Sequence, residues 1–262
     1  MMYIITHKKF SYPYPKKGYQ PILVGAAFNK HVSGYLLDNT GTNISDKNKN
    51  FCELTGMYWI WKNSHENHVG ISHYRRYFSA IPGGVRGTEL YTLFAGGAKP
   101  IETAKLDKYL EDYDWIAPEK VPFPGKTVYQ QFAEGHHAKD MDATREVIAD
   151  LHPESLAAFD QVMKEHSYSL YNMCYTTKDK FDDYCQWLFD ILFELENRVD
   201  ISDYDTYQAR LFGFISERLF NVWLLQNKFK VKYIGVYKTD QMDRKYAWHK
   251  ISHKLKKIVT RK

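Results

Sequence analysis

Hydrophobic and polar positions follow two rhythms along the chain. Short β-rich runs stand at YIIT (3–6), ILVGAAF (22–28), HVGISHYRRYF (68–78), DWIAPEK (114–120), SLYNMCYTT (169–177) and VKYIGVYK (231–238). Each predicts a strand. Between them lie longer segments with helical spacing. Phe51, Leu54, Tyr58 and Trp61 recur at intervals of three, four and three, which predicts a helix over 51–63. Residues 101–112, 127–153 (interrupted near Gly135), 155–166, 178–199 and 207–228 predict further helices. Residues 8–21 hold three prolines and read as a loop. Residues 36–50 are rich in Asn, Asp, Gly and Ser, the chemistry of turns. The glycine-rich stretch 80–100 predicts a mobile loop. Strands alternating with helices predict an α/β layer fold with a largely parallel sheet.

Composition narrows the class. At 262 residues with 44% hydrophobic and 26% charged positions, the chain can bury a large core and is not disordered throughout. No run approaches the roughly 18–20 apolar residues of a spanning helix. Three cysteines without a C-x-x-C point away from a disulfide framework or a cysteine zinc site. With no secretory signal at the start, they lead us to expect a reducing, cytoplasmic setting.

Charge is unevenly placed. The net charge is +5, yet residues 244–262 alone carry 8 Lys and Arg and no acid, which leaves the body near −3. Within that tail Trp248, Ile251, Leu255 and Ile258 share one helical stripe among the lysines. Such a basic amphipathic segment suits the surface of an anionic membrane, and a disordered solvated tail is the rival reading. Nucleic acid is not expected as a partner, because that calls for a basic face on the folded body. We therefore divide the chain into a domain over 1–243 and a basic amphipathic tail over 244–262.

Several clusters carry candidate chemistry. His73, Tyr74, Arg75 and Arg76 follow a strand end, where ligands bind in open α/β sheets. Arginine forks there suit a diphosphate, and a rim of surface ion pairs is the rival reading. Glu217 and Arg218 stand in an otherwise apolar helix. A carboxylate in such surroundings gains proton affinity and can act as a general base; pairing with Arg210 or Arg218 is the alternative. His136, His137 and Asp140 cluster in GHHAKD; polar substrate contact is preferred to metal binding, and a plain solvated helix to either. Three D-x-D pairs occur, at Asp112–Asp114, Asp140–Asp142 and Asp203–Asp205, a motif short enough to arise by chance. Walker A, G-x-G-x-x-G, G-x-S-x-G and H-E-x-x-H are absent.

The blocks NISDKNKNFCELTGMYWIWKN, HVGISHYRRYF, NMCYTTKDKFDDYCQWLFDILFELE and GFISERLFNVWL, within residues 3–238, resemble a bacterial family. It comprises small glycosyltransferases encoded in capsular, exopolysaccharide and O-antigen clusters, long known as a domain of unknown function. The resemblance implies a GT-A-like single domain and a UDP-sugar donor. It implies transfer of a hexose, galactose or galactofuranose favoured, to a lipid-linked oligosaccharide. With the HYRR segment where a metal-binding D-x-D is usual, it implies fixed cations instead of a divalent metal, and no cofactor. Thr6, His7, Asn43, Lys47, Asn48 and Glu53 join His73, Tyr74, Arg75 and Arg76 as the implied nucleotide and diphosphate set. Asn172, Met173 and Arg218 join His136, His137 and Asp140 toward the sugar or acceptor. Glu217 is the implied base of an inverting displacement. The expected setting is peripheral, on the inner face of the plasma membrane. The glycine-rich region 83–97 departs from the family blocks and is expected to be a mobile lid. Two rival readings stand beside this one. One is a non-catalytic scaffold docked on the membrane of the assembly machinery. The other is a metal-dependent hydrolase built on His136, His137 and Asp140.

Overall fold

The computed structural model describes residues 1–11, 14–95 and 99–239. The basic segment 244–262 lies outside the described residues.

The strand Met2–Thr6 sits inside the main sheet with all five residues buried. Its side chains alternate between two cores. Tyr3 and Ile5 join the larger apolar cluster, whereas Met2 and Ile4 join a second cluster on the opposite face. That period of two, apolar on both faces, explains why YIIT reads as a continuous hydrophobic run. Along the sheet the order is Val231–Ile234, Trp115–Pro118, Cys174–Thr177, His68–His73, Met2–Thr6, Tyr19–Leu23 and Leu36–Leu37. Neighbours are parallel except around Cys174–Thr177, which runs antiparallel to both of its partners. A side branch forms where Arg76–Phe78 pairs antiparallel with Val236–Lys238. The expected α/β single domain with a mostly parallel central sheet flanked by helices is thus the observed class.

Helices Ala138–Leu151, Leu156–Lys164, Lys178–Arg198 and Leu211–Gln226 build the larger core. Helix Leu211–Gln226 is buried on nearly every side, as its sparse polar content requires. Much of the aromatic content is spent here. Trp115 meets Tyr184 and Phe220 edge-on at 5.7 and 5.6 Å, and Trp187 packs on Trp223 at 5.3 Å. No helix of the described residues is long and apolar enough to cross a membrane.

Three local expectations change. The helix over 51–63 is two helices, Asn48–Phe51 and Leu54–Asn63, broken at Cys52 with φ 51°. The Asn48 amide stabilises that break by donating to the Cys52 carbonyl (2.6 Å) and to Thr55 Oγ1 (3.0 Å). The stretch expected as a mobile loop contains the helix Gly84–Ala95. Its first turn is capped from a distance: the Glu119 carboxylate accepts from the Val85 amide at 2.9 Å. Finally, only Cys174–Thr177 of the run 169–177 is strand, because Tyr171 and Asn172 both adopt left-handed backbone, with φ 81° and 49°.

Candidate active site

A cavity of about 610 Å³ opens beyond the carboxyl ends of Met2–Thr6 and His68–His73. That is where an open α/β sheet exposes free strand ends and accommodates ligands. Four arginines line it, Arg75, Arg76, Arg210 and Arg218, against two carboxylates, Glu53 and Glu217. The surplus of fixed positive charge suits an anionic ligand.

The arginines come from two directions. Strand His68–His73 turns back tightly, with His73 paired to Arg76, so Tyr74 and Arg75 form the tip of a hairpin. Arg75 lies 5.0 Å from the Tyr74 ring, and Arg76 lies 4.7 Å from the Tyr171 ring. Among the described residues neither forms an ion pair, so the reading of rim salt bridges does not describe them. Among the described residues the buried Nε of Arg76 has no hydrogen-bond partner. Arg210 arrives from the short turn before helix Leu211–Gln226, and its Nε donates to Cys52 Sγ at 3.2 Å. His7, at the end of the first strand, lies edge-on to Tyr74 at 5.4 Å. Burial, then the charges of Lys8, Arg75 and Arg210, hold its pKa below the ordinary value.

Glu217 lies at the bottom. Its Oε1 accepts the Tyr171 amide at 2.8 Å, and its Oε2 is 3.7 Å from Arg218 Nη1. Only 18% of the side chain is accessible. Burial raises its pKa to about 7, and the neighbouring Glu53 charge adds to the rise; Arg218, the Tyr171 amide and Arg76 oppose it. A carboxylate poised near neutrality within a polar cavity is equipped to accept a proton.

Tyr171 is clamped from both sides of its backbone. Its carbonyl accepts from His73 Nε2 at 2.5 Å, so that nitrogen carries a hydrogen. Burial, with Arg76 and Arg75 nearby, lowers the His73 pKa and keeps the ring neutral. Asn172 donates to Glu53 Oε1 (2.8 Å) and to the Gly213 carbonyl (3.2 Å). Arg218, 2% exposed, lies between the rings of Phe132 (5.1 Å) and Tyr168 (4.8 Å). It donates to Gln131 Oε1 at 2.6 Å.

Eleven of the residues expected from sequence line this one cavity: Thr6, His7, Asn48, Glu53, His73, Tyr74, Arg75, Arg76, His136, Glu217 and Arg218. The others are placed elsewhere. Asn43 is exposed and bonds within its own turn, to Gly41 and Ser45. Lys47 pairs with Glu196 at 2.8 Å. His137 packs on Tyr204 at 4.3 Å, and the buried Asp140 carboxylate accepts the Tyr204 hydroxyl at 3.0 Å. Met173 is fully buried in the second cluster, and Asn172 braces Glu53 from behind. The D-x-D aspartates do not line the cavity: Asp114 holds Lys180, and Asp205 caps the Tyr207 and Gln208 amides. Among the described residues no three His, Cys, Asp or Glu side chains converge in a metal-ligand geometry. Arg210, Tyr171, Tyr207 and Phe214 line the cavity without having been expected there. Their one sequence signal is their position beside Asn172 and before Glu217.

Fold and site together define an α/β protein with a cationic cavity at its strand ends and, in that cavity, a largely enclosed glutamate whose pKa is raised to about 7. The chain belongs to the family described as a domain of unknown function, DUF4422, whose pattern matches residues 1–228. It is similar to a solved structure, the apo form of the bifunctional glycosyltransferase WbbM, with 28% identity and a TM-score of 0.78. That similarity covers 90% of this chain and 45% of the other, so the chain spans less than half of that protein's length. No curated protein matches.

Proposed function

We propose that this protein is a glycosyltransferase of surface-polysaccharide synthesis. It moves a hexose, galactose or galactofuranose, from UDP to a hydroxyl of a lipid-linked oligosaccharide. The observation that carries the reading is the juxtaposition in one cavity of Glu217 with Arg75 and Arg76, neither of which forms an ion pair among the described residues. The likeness to WbbM supports it.

In this reading the UDP diphosphate lies against Arg75 and Arg76, and Arg210 lines the same cavity. Their charge stabilises the leaving group as it departs, which is where such electrostatics act most strongly. Fixed guanidinium groups take this role without a divalent metal. The acceptor oxygen attacks the anomeric carbon as the bond to the UDP oxygen breaks. The hydroxyl proton passes to Glu217, whose Oε2 is free of the Tyr171 amide. A single displacement of this kind inverts the anomeric centre. His73 is a positioning residue: it holds the Tyr171 carbonyl while Glu217 holds the amide. Domain 1–243 performs the transfer, and the basic segment 244–262 keeps the protein on the inner face of the plasma membrane.

Calorimetric titration with UDP, with and without EDTA, tests the reading. Binding that survives EDTA and weakens in Arg75→Ala and Arg76→Ala is expected. Binding abolished by EDTA would overturn the metal-free site. No binding in either condition would overturn the transferase and favour the scaffold.

A further inference from the structure

The cavity has a second wall, of which the sequence led us to expect only His136, and it is aromatic. His136 stacks on Phe214 at 4.1 Å and 29°. Tyr207 stacks on His136 at 5.7 Å and 19°, and lies 5.1 Å from Phe214. All three line the cavity. Phe132 backs His136 from the core at 4.9 Å. Tyr207 is 53% exposed, yet its segment is fixed, because Asp205 accepts both the Tyr207 and Gln208 amides at 2.8 Å. A held, solvent-facing ring beside a cavity supplies contact area with little entropy left to lose.

The edge of this wall has defined polarity. Gln208 Nε2 donates to the Gly135 carbonyl at 2.9 Å, which fixes the orientation of the amide. Its Oε1 therefore faces His136 Nδ1 at 2.9 Å as an acceptor, and Nδ1 must carry the hydrogen. Burial lowers the His136 pKa and keeps the ring neutral. Nε2 is left with a lone pair. A flat apolar face with a hydrogen-bond acceptor at its edge complements a sugar ring, whose C–H face is apolar and whose rim donates from hydroxyls.

Position selects which sugar. Phe214 and Glu217 stand at i and i+3 on the same helix, so they are neighbours on its surface. A ring lying on this wall is therefore beside the proton acceptor. The strand ends that carry His7 and Arg75 reach the cavity from separate elements.

We propose that Tyr207, His136 and Phe214 form the subsite for the terminal sugar of the acceptor. The sugar's C–H face lies on Tyr207, one hydroxyl donates to His136 Nε2, and the reacting hydroxyl is directed to Glu217. This rests on the transferase reading.

Saturation-transfer NMR with the methyl glycosides of galactose, glucose, mannose and rhamnose tests the subsite, with UDP present. UDP affinity is measured in parallel by calorimetry. We expect at least one glycoside to bind the wild type, with saturation concentrated on one ring face. Tyr207→Ala should weaken that glycoside on the order of ten-fold, and Tyr207→Phe should retain it. His136→Phe, which keeps the stack and removes the acceptor, should weaken it about five-fold. UDP affinity should stay within about two-fold in all three variants, which also shows that they fold. Weakened UDP binding with unchanged glycoside binding in Tyr207→Ala would overturn the proposal and assign the wall to the nucleobase. Failure of every glycoside to bind the UDP-loaded wild type would overturn it as well. If the wild type bound no UDP, the transferase reading would fall. Glycoside binding lost in Tyr207→Ala would even then uphold a saccharide site.

Discussion

Replacing Glu217 by Gln separates what this residue does for the reaction from what it does to the fold. Burial raises the carboxyl from 4.5 to about 7. That displacement is equivalent to about 3 kcal/mol against the charged form. A raised carboxylate pKa means the native state binds more protons than the unfolded state between pH 4.5 and about 7. Stability therefore falls as pH rises through that window, and the full penalty is present above it. Glutamine keeps the shape and an oxygen for the Tyr171 amide but carries no charge. It forfeits the attraction to Arg218 at 3.7 Å, which trims the gain. We expect Glu217→Gln to match the wild type in stability at pH 5 and to exceed it by roughly 2 kcal/mol at pH 8. In a domain of this size that is about 4–8 °C in melting temperature. Transfer activity should fall by at least about 100-fold, the share general-base catalysis usually supplies. Thermal melts of both proteins across pH 5–8, with turnover measured alongside, decide the matter. A stability difference that does not change with pH would refute the buried, proton-accepting glutamate.

Three further outcomes follow from the site and its supports. Arg76→Ala should weaken UDP about 10–100-fold by calorimetry, the range for losing a charge-assisted hydrogen bond. Arg218→Met removes the positive charge that lowers the Glu217 pKa, so the acid limb of the pH–rate profile should move to higher pH. An unmoved limb would show that Arg218 acts on the fold alone. Asp38→Ala should destabilise the domain by at least about 3 kcal/mol in chemical denaturation. The buried Asp38 carboxylate accepts from the Gly25 and Ala26 amides and the Ser45 and Thr55 hydroxyls, and all four donors would lose their partner.

What the sequence disclosed and what it hid divide along a physical line. Arg75 and Arg76 were legible because a hydrophobic run ends just before them, and strand ends are where α/β sheets bind. Glu217 was legible because its helical neighbours are apolar. Arg210 and Tyr207 were not, because what places them is tertiary: Cys52 and His136, which they contact, are distant in the chain. Met173 was misplaced by adjacency, since a strand sends successive side chains to opposite faces; Cys174 enters one core and Met173 the other. Lys47 fell in a matching block, yet its charge is satisfied by Glu196, 149 positions away. The helix Gly84–Ala95 was hidden by glycines at its start. Gly83 and Gly84 take φ of 86° and 65° to enter it, and the capping Glu119 lies 34 positions on.

Several locally unfavourable features of the molecule meet at one place. Two successive non-glycine residues, Tyr171 and Asn172, hold left-handed backbone, each at a cost of order 1–3 kcal/mol. A glutamate is enclosed beside them at an elevated pKa, and the Nε of Arg76 and Oδ1 of Asn172 are buried without hydrogen-bond partners among the described residues. These features also restrain one another. His73 holds the Tyr171 carbonyl, Glu217 holds its amide, and Asn172 ties Glu53 to the start of the helix that carries Glu217. Relaxing the turn would therefore release the carboxylate, and removing the carboxylate would release the turn. The surrounding core, with Trp115, Tyr184, Phe220 and Trp223 packed ring to ring, supplies the rigidity that keeps this arrangement in place. Strain that serves only the fold has no reason to gather on the wall of a polar cavity. Its concentration there is what a pre-organised ligand site requires.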